Sequence, residues 1–411
     1  MELFERWAYY GMVLVLGIYV VEQLHLDPLR WGTLYGVFTS TLYFLPLVSG
    51  ALADRFGYRR ALVVAFTLLA AGYSILATAT SFPGLFGALM LIAAGGSIVK
   101  PTISGTITRS TEEGPRRAMG FGLFIQAVNA GSLIGPVVAA QIRNRAAFPW
   151  VFWVSAAACL LMIAQAVFFY RDPVPDEAKR SGKPLGQVFR EAVTVLGNWR
   201  FVLLLVIFSG FCGMFNLLYG FMPLYVAQFS DLPRLEAAVN GLVDLGHWLN
   251  PEVLVGLDAL FIILFQGLVS HLTKRWRIIT ALTVGSAVGT ASWVLPALSS
   301  SAWVILLGIF IWSLGEMTCA ARFFEYCGSV APPDRVALYL GYSFLAFFLG
   351  NAYSGAWGGW LYQTLITDCL GQGLAPRPAL MFAGFAALGV LATAGFVLYD
   401  RFIARGRVAG E

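Results

Sequence analysis

The chain consists of long apolar segments separated by shorter polar connections. A helix that crosses a membrane needs about 20 mostly apolar residues, and the pattern contains twelve such segments. The first six lie at about 4–21, 33–51, 61–79, 84–107, 119–141 and 149–170. The other six lie at about 200–228, 242–270, 278–296, 302–326, 336–362 and 378–400. The pattern therefore predicts an all-α membrane protein with twelve transmembrane helices.

The longest polar connection divides the twelve segments into two sets of six. We predict an N-terminal six-helix half at 1–170, a cytoplasmic linker at 171–199 and a C-terminal six-helix half at 200–411. Two such halves are the layout of the major facilitator fold. In that fold the solute binds near the middle of the bilayer, and alternating access exposes it to each side in turn.

The composition supports a membrane protein. The sequence is 58% hydrophobic and only 12% charged, whereas a soluble domain is about 25% charged. The net charge of +5 is too small to indicate nucleic acid as a partner. The five cysteines have no metal-binding spacing, so we interpret them as packing residues and expect no metal or other cofactor.

Lysine and arginine are concentrated in alternate connections, and this distribution indicates orientation. If the N-terminus is cytoplasmic, the inner connections carry about 19 of these residues. The outer connections then carry only Arg30, Arg143, Arg145, Arg234 and Arg377. The asymmetry predicts a multi-pass protein of the inner (plasma) membrane with both termini in the cytoplasm.

Some charged residues fall within the predicted spans. A charge at the bilayer centre costs about 2.5–3.5 kcal/mol on insertion scales, so each has to find a partner or a water-filled cavity. The cations are Arg6, Lys100 and Arg322, and the acids at similar depth are Glu2, Glu5, Asp258, Glu316 and Glu325.

One face of the first helix is polar. Glu2, Glu5, Arg6, Tyr9 and Tyr10 share that face because residues three and four apart project to the same side of a helix. Two carboxylates, a guanidinium and two phenols do not suit a lipid-facing surface, so we predict that they line a cavity. The alternative is a cytoplasmic-end anchor whose charged groups reach the interface, and the adjacent phenols argue against it.

Lys100 and Glu316 are the most informative charges in the other spans. Lys100 lies at a depth that the polar face of the first helix can reach, and Pro101 after it favours a kink. A carboxylate paired with this ammonium can exchange a proton, and a static ion pair is the alternative. Glu316, without an obvious cationic partner, is predicted to be protonated or to bind a cationic ligand group, and a structural hydrogen-bonded acid is the alternative. Arg322 and Glu325 can pair, and we interpret them as a gate or brace.

Several motifs resemble the proton-dependent oligopeptide transporters of the major facilitator superfamily. The stretch Glu2-Leu-Phe-Glu5-Arg6-Trp-Ala-Tyr9-Tyr10-Gly11 is similar to that family's ExxERFxYYG signature, with Trp7 for Phe. The segment from Phe121 to Leu133 is similar to its fifth-helix FYxxINxGSL motif, with Gly122 for Tyr. Further matches in both halves are Tyr43 eleven residues before Asp54, Lys100-Pro101, Asn250-Pro251 and Gly315-Glu316.

The resemblance implies roles for the matching residues. It implies that Glu2, Glu5, Arg6, Lys100 and Glu316 take part in proton coupling, and that Arg6 and Lys100 bind the peptide carboxylate. It further implies that Tyr9, Tyr10 and Tyr43 shape the pocket, and that Asn129, Asn250 and Glu316 hold the peptide backbone and amino terminus. A zwitterion requires cations at one end and an acid at the other, which this set provides.

The connection after the second helix carries a second motif. It reads Gly50-Ala-Leu-Ala-Asp54-Arg55-Phe-Gly57-Tyr-Arg59-Arg60, and a weak echo, Gly267 to Arg275, follows the eighth helix. We interpret this motif as a brace that governs conformational change. The predicted gating residues are Gly50, Asp54, Arg55, Gly57, Arg59, Arg322 and Glu325.

The sequence also departs from the family. Many members have an arginine where this chain has Val13, and its usual partner, an acid in the seventh helix, is absent from 200–228. The family's Ser-Pro after the tenth-helix acid is Ala320-Ala321, and Asp258 is a charge that typical members lack. These departures indicate an altered pocket and leave the specificity for di- and tripeptides open.

We predict proton-coupled symport of di-/tripeptides or peptide-like solutes into the cell, with protons as the coupling ion. The alternative is a divergent major facilitator carrier for an amino-acid derivative, an anion or a drug, and a non-transporting sensor or membrane enzyme is a third possibility. The three histidines have no metal spacing and no nucleophile motif is recognisable, so an enzyme is not expected. The expected partners are the substrate and the lipid bilayer, without nucleic acid, and we expect a monomer.

Overall fold

The computed structural model describes residues 1–111, 114–173, 185–242, 246–332 and 335–404. Within these ranges the chain is helical and has no strand. The first eight helices are α1 Glu2–Ile18, α2 Pro28–Phe44, α3 Pro46–Phe56, α4 Tyr58–Thr78, α5 Phe82–Ser110, α6 Pro115–Arg145, α7 Phe148–Phe168 and α8 Leu185–Leu196. The others are α9 Trp199–Phe229, α10 Leu232–Asn240, α11 Pro251–Thr273, α12 Ile278–Ser292, α13 Val294–Leu298, α14 Ala302–Ser329, α15 Val336–Tyr342, α16 Leu345–Tyr362, α17 Asp368–Gly371 and α18 Pro378–Tyr399. Part of the predicted linker, 174–184, and the inner cations Arg405 and Arg407 lie outside the described residues.

The predicted class of multi-pass helical membrane protein is confirmed, but the number of spans differs. Ten described helices are long and apolar enough to cross a membrane, or eleven if the bent pair α2 and α3 forms one span. The remaining predicted segment, 336–362, divides into α15 and α16, with a break at Ser343 and Phe344. Of these two, α16 has the length of a span, but Asn351 and four glycines among its 18 residues lower its hydropathy.

Proline accounts for two further differences from the predicted helices. The segment predicted at 33–51 bends by 44° between α2 and α3, because Pro46 has no N–H to donate to the carbonyl of Leu42. The segment predicted to begin at 242 begins at Pro251 instead. Proline suits this first position because the N–H that it lacks would have no partner within the helix.

The described contacts divide the chain into two compact units. The first contains Met1–Leu16 and Thr41–Val193, and the second contains Gly17–Ser40 and Thr194–Glu411. These boundaries cut through α1 and α2. The division into 1–170, 171–199 and 200–411 therefore stays a prediction.

In the first unit, α4 packs against α5 and α7, and glycines bring α1 against α6. A Cβ atom added to Gly131 would lie 2.6 Å from the carbonyl oxygen of Leu3, and one added to Gly135 would lie 2.6 Å from that of Trp7. Small residues permit this close approach between helices. The contact positions the start of α1, which carries the polar face.

In the second unit, glycines bring α2 against α16 and the end of α1 against α9. A Cβ atom added to Gly355 would lie 2.4 Å from the carbonyl oxygen of Gly32. The fully buried Trp31 donates from Nε1 to the carbonyl oxygen of Gly220 at 3.0 Å. We call this contact the glycine seam; it consists of Gly17, Gly32, Gly36, Gly220, Gly355 and Gly359.

Candidate functional site

The first unit contains a buried cluster of charges, which we call the N-terminal cluster: Glu2, Glu5, Arg6 and Lys100. Glu2, Glu5 and Arg6 are 6%, 2% and 3% exposed. The Nε atom of Arg6 donates to Oε2 of Glu5 and lies 3.4 Å from Oε1 of Glu2. Because α1 places these residues on one face, a single guanidinium contacts both carboxylates.

Lys100 reaches this cluster from α5. Its ammonium interacts electrostatically with Glu2, Glu5 and Arg6, and its Nζ atom lies 5.7 Å from the centre of the Tyr43 ring. A cation above an aromatic face is attracted by the negative face of the ring. No carboxylate oxygen of the described residues lies within the 4.0 Å of an ion pair with Lys100, so the ammonium is near both acids without direct pairing.

Pro101 explains how α3 is fixed beside Lys100. Proline has no N–H to donate to the carbonyl of the residue four positions earlier, which here is Ser97. The hydroxyl of Ser49 on α3 donates to that carbonyl oxygen at 2.8 Å. The predicted gating residue Gly50 also lies on this contact, since a Cβ atom added there would be 3.5 Å from Cβ of Pro101.

The carboxylate of Glu2 lacks hydrogen bonds. Both of its oxygens are buried without a hydrogen-bond partner among the described residues, although Arg6 is nearby. A buried carboxylate in this condition is costly unless it gains a proton or another donor. Within the N-terminal cluster, Glu2 is therefore the group best placed to accept a proton.

The other predicted residues of this unit lie around the cluster. The guanidinium of Arg6 lies 5.2 Å from the centre of the Tyr9 ring, and the rings of Tyr9 and Tyr10 pack edge to face. Asn129 lies on α6, two residues before the close contact of Gly131 with α1. Asn129 is partly exposed, and its side-chain amide makes no hydrogen bond to the described part of the chain.

The second unit contains a buried pair of acids. Asp258 on α11 and Glu316 on α14 are close enough to interact electrostatically. Asp258 is 0% exposed and accepts hydrogen bonds from the hydroxyls of Tyr219, at 2.8 Å, and Ser313. Glu316 is partly exposed and accepts from Nε1 of Trp312 at 3.2 Å. The sequence indicated that both acids lie at membrane depth but did not indicate that they meet.

The structure corrects the position of Asn250. The residue was expected inside the eighth span, but it is the N-cap residue of α11, immediately before the helix. It precedes Asp258 by eight residues, which corresponds to about 12 Å along a helix axis at 1.5 Å per residue. Asn250 therefore lies about two helical turns from the level of Asp258, at the end of α11 and not within it.

The brace motif forms a compact set of contacts. Asp54 accepts a hydrogen bond from the Tyr58 hydroxyl at 2.7 Å, and its Oδ1 atom lies 3.2 Å from Nη2 of Arg109 on α5. Arg59 donates to the carbonyls of Ala166 and Val167 at the end of α7. These bonds join the end of α3 to α4 and α5, and the start of α4 to α7.

Two further residues of the motif have separate explanations. Gly57 has a φ of +90°, which L side chains rarely adopt, so glycine is required where α3 turns into α4. The guanidinium of Arg55 lies 5.9 Å from the centre of the adjacent Phe56 ring. Arg55 thus makes a local contact.

The predicted pair of Arg322 and Glu325 is confirmed. Nη1 of Arg322 lies 2.7 Å from Oε2 of Glu325, and Nη2 donates to the carbonyl oxygen of Thr273 at 2.9 Å. Thr273 is the last residue of α11. The pair thus joins α14 to the end of α11, which is the geometry of a brace.

The clusters of charged residues, and not a metal site or an apolar groove, are the candidate functional sites. No described group of His, Cys, Asp and Glu residues could hold a metal ion. A groove of about 530 Å³ near Trp293 and Phe382 is almost entirely apolar, and no buried charge lines it. The charged clusters are therefore the candidate sites, because they can exchange protons and bind the ionised ends of a small solute.

Comparison with known sequences gives one family and several relatives. The sequence profile of the Major Facilitator Superfamily matches residues 3–355. Multidrug resistance protein MdtH of Photorhabdus laumondii is 25% identical over 350 residues, which are 85% of this chain and 82% of that protein. A di-/tripeptide transporter of Lactococcus lactis is 28% identical over 233 residues, 54% of this chain and 45% of that transporter. The match thus spans less than half of this peptide transporter's length.

Solved structures share the fold over nearly the whole chain. A POT family transporter in complex with 5-aminolevulinic acid has a TM-score of 0.78 at 18% identity, covering 98% of this chain and 94% of that one. A mutant of the nucleoside transporter NupG has a TM-score of 0.80 at 13% identity, covering 97% of both chains. At such identities the likeness concerns the fold, which these carriers of different solutes share.

Proposed function

The chain belongs to the Major Facilitator Superfamily, a superfamily of membrane transporters, and on this basis we propose that it carries di-/tripeptides or peptide-like solutes into the cell together with protons. We further propose that, within the superfamily, it belongs with the proton-dependent oligopeptide transporters. The proposal includes the inner membrane as location, cytoplasmic termini and alternating access as the mechanism. A monomer is sufficient for this mechanism.

The N-terminal cluster is the observation that carries this proposal. It places two carboxylates, a guanidinium and an ammonium together in the first unit, with Glu2, Glu5 and Arg6 almost fully buried. Helices α1 and α5 supply these groups, at the positions where the sequence resembles peptide transporters. The Lactococcus lactis relative, named a di-/tripeptide transporter, supports the same substrate class.

The charge of the cluster suggests how a proton and a substrate are coupled. Two carboxylates and two cations give a neutral cluster when all four groups are ionised. If a substrate carboxylate binds to Lys100 or Arg6, the cluster gains one negative charge, which is costly at this depth. Uptake of one proton by Glu2 or Glu5 restores neutrality. Substrate carboxylate and proton therefore favour each other's binding, which is the thermodynamic requirement for symport.

The acid pair supplies the opposite charge. A peptide with a free amino terminus carries an ammonium group, and Glu316 is the partly exposed member of the pair. We assign the substrate's amino group to Glu316 and its carboxylate to Lys100 and Arg6. Asn129 remains in the proposal as a backbone-binding amide, because its side chain is available for hydrogen bonding.

Uptake into proteoliposomes tests this function. With an inward proton gradient, we expect accumulation of labelled dialanine above its external concentration, and collapse of the gradient by a proton ionophore should abolish it. Dialanine amide, which lacks the carboxylate, should compete poorly with the labelled peptide. Equilibration of dialanine without accumulation, or equal competition by the amide, would contradict the proposal.

A carrier of drug-like solutes is the second candidate. It is favoured by the match to the multidrug resistance protein, which covers 85% of this chain and 82% of that protein. Under this alternative, the proton gradient would drive a lipophilic cation in exchange for protons, while dialanine would neither accumulate nor stabilise the purified protein. A thermal-shift comparison of dipeptides, free amino acids and lipophilic cations separates the two candidates.

A further inference from the structure

Two helices of the second unit begin without a side-chain cap of their own. Among the described contacts, the N-cap residues Asn250 of α11 and Ser301 of α14 make no capping hydrogen bond with their side chains. The first N–H groups of a helix have no partner within that helix, so they need an acceptor from elsewhere. These two helices carry Asp258 and Glu316, so the groups that hold the starts of α11 and α14 also position the acid pair.

Two acids from the connection between α9 and α11 supply acceptors at these starts. Oδ1 of Asp231 accepts from the backbone N–H of Ala302, the first residue of α14, at 2.6 Å. Oε1 of Glu236 accepts from the backbone N–H groups of Trp248 and Leu249, at 2.9 and 3.1 Å, and these two residues directly precede the N-cap of α11. A carboxylate is favourable at a helix start because the helix dipole is positive there.

Both acids belong to one short helix. Asp231 is the N-cap residue of α10, and Glu236 lies within α10. The same helix packs against α14, and its Leu232 and Leu235 are buried. Residues 231–236 therefore join the start of α11 to the start of α14, and we call this segment the α10 clasp.

Further contacts join the same two helices beyond the clasp. The hydroxyl of Ser313 on α14 donates to the carboxyl group of Asp258 on α11. Nη2 of Arg322 on α14 donates to the carbonyl oxygen of Thr273, the last residue of α11, at 2.9 Å. The helices α11 and α14 are thus joined at their starts, in their middle and at the end of α11.

We propose that Asp231 and Glu236 are positioning residues that, through α10, make α11 and α14 a single rigid body in the transport cycle. Separation of the two starts would break hydrogen bonds to charged acceptors, which are stronger than those between neutral groups. The acids carried by the two helices then keep one relative placement in every access state. The transport cycle rests on the proposed function, whereas the clasp does not.

Hydrogen exchange of backbone amides tests the clasp without any substrate. Glu236→Ala should speed exchange at Trp248 and Leu249 about tenfold, the factor that corresponds to 1.4 kcal/mol. Because α10 joins the two starts, the same variant should also speed exchange at Ala302, and Asp231→Ala should act reciprocally on the start of α11. Faster exchange confined to the residues that each acid contacts would indicate two local caps and overturn the proposal.

Two further variants separate the acceptor from its surroundings. Glu236→Gln keeps an acceptor oxygen, so it should leave exchange at both helix starts nearly unchanged. His247→Ala is the matched control, because it removes an exposed imidazole beside Oε2 of Glu236 and leaves both backbone hydrogen bonds in place. Exchange as fast in Glu236→Gln as in Glu236→Ala would refute the role of the acceptor.

A covalent link tests the rigid body during transport. The ring centres of Phe261 on α11 and Phe310 on α14 are 5.1 Å apart, so cysteines at these positions can be joined by a short, reducible bifunctional thiol reagent. The five native cysteines are buried and should not react. The linked protein should carry labelled dialanine at the rate of the unlinked double variant.

The outcomes of this link are distinguishable from a failure of the proposed function. Transport that stops on linking and returns on reduction would show that the two helices have to part, and it would refute the rigid body. If neither the unlinked variant nor the unchanged protein carries dialanine, the proposed function fails, and the exchange measurements still decide whether the clasp joins the two helix starts.

Discussion

Replacement of Lys100 by alanine tests the proposed coupling of proton and substrate, because it removes one of the two cations of the N-terminal cluster. In the intact N-terminal cluster, two carboxylates are balanced by Arg6 and Lys100. Without the ammonium, the cluster has one uncompensated negative charge at membrane depth, which costs about 2.5–3.5 kcal/mol on insertion scales. A proton bound to Glu2 or Glu5 removes that cost before any substrate arrives. The proton is then bound permanently, and substrate binding no longer controls it.

The expected loss of accumulation follows from comparing the cost of the uncompensated charge with the energy that the proton gradient supplies. A gradient of one pH unit supplies about 1.4 kcal/mol per proton, enough for about tenfold accumulation of a peptide carried with one proton. A membrane potential of 100 mV adds about 2.3 kcal/mol if the peptide is a zwitterion and the proton carries the only net charge. The cost of the uncompensated charge is about twice the first of these values. The variant should therefore equilibrate the peptide at an accumulation ratio near one.

The assay measures labelled dialanine in proteoliposomes under an imposed gradient and, separately, exchange against unlabelled peptide without a gradient. Lys100→Ala should lose accumulation and retain exchange. Lys274→Ala is the matched control, because this lysine is exposed immediately after α11 and should leave accumulation unchanged. Full accumulation by the Lys100 variant would refute the reasoning, since the proton would then be coupled without the ammonium.

Three other predictions concern the helices that hold the sites. Gly131→Ala should lower the free energy of unfolding by about 1–3 kcal/mol, because the new methyl group would lie 2.6 Å from the carbonyl oxygen of Leu3. Gly122→Ala is the control: an added Cβ there meets no atom within 4 Å, so the melting temperature should not fall. Gly57→Ala should also cost about 1–3 kcal/mol, because its φ of +90° is strained for alanine; an unchanged melting temperature would contradict this. Asp54→Asn should slow turnover while hardly changing the melting temperature, since its ion pair is partly exposed to solvent, and unchanged turnover would argue against the brace.

Much of the fold could be predicted because membrane helices have a strong sequence signal. Apolar length identified most of the spans, and helical spacing correctly grouped Glu2, Glu5 and Arg6. At 336–362 the predicted segment is helical but divides at Ser343 and Phe344 into α15 and α16, a break that apolar length does not reveal. The same signal failed at 242–250, because apolar residues before Pro251 extended the predicted span beyond the start of the helix.

Contacts between distant helices were harder to predict. Lys100 could be assigned to the N-terminal cluster because its depth and a family motif agreed. Asp258 could not be assigned to Glu316, because depth alone does not indicate which face of α11 meets α14. The role of Ser49 was also hidden, since it depends on a carbonyl that Pro101 leaves free in a different helix.

The glycine seam separates the effects of acidity from those of helix packing. Its backbones meet directly, and the nearest described atoms at its six glycines belong to the backbone or to aromatic side chains, with no acidic or basic side chain among them. The contribution of the seam itself to the cost of parting these helices should therefore be the same in dilute or concentrated salt and at acidic or alkaline pH. Sensitivity of the transport cycle to pH has to arise elsewhere, in the buried carboxyl groups.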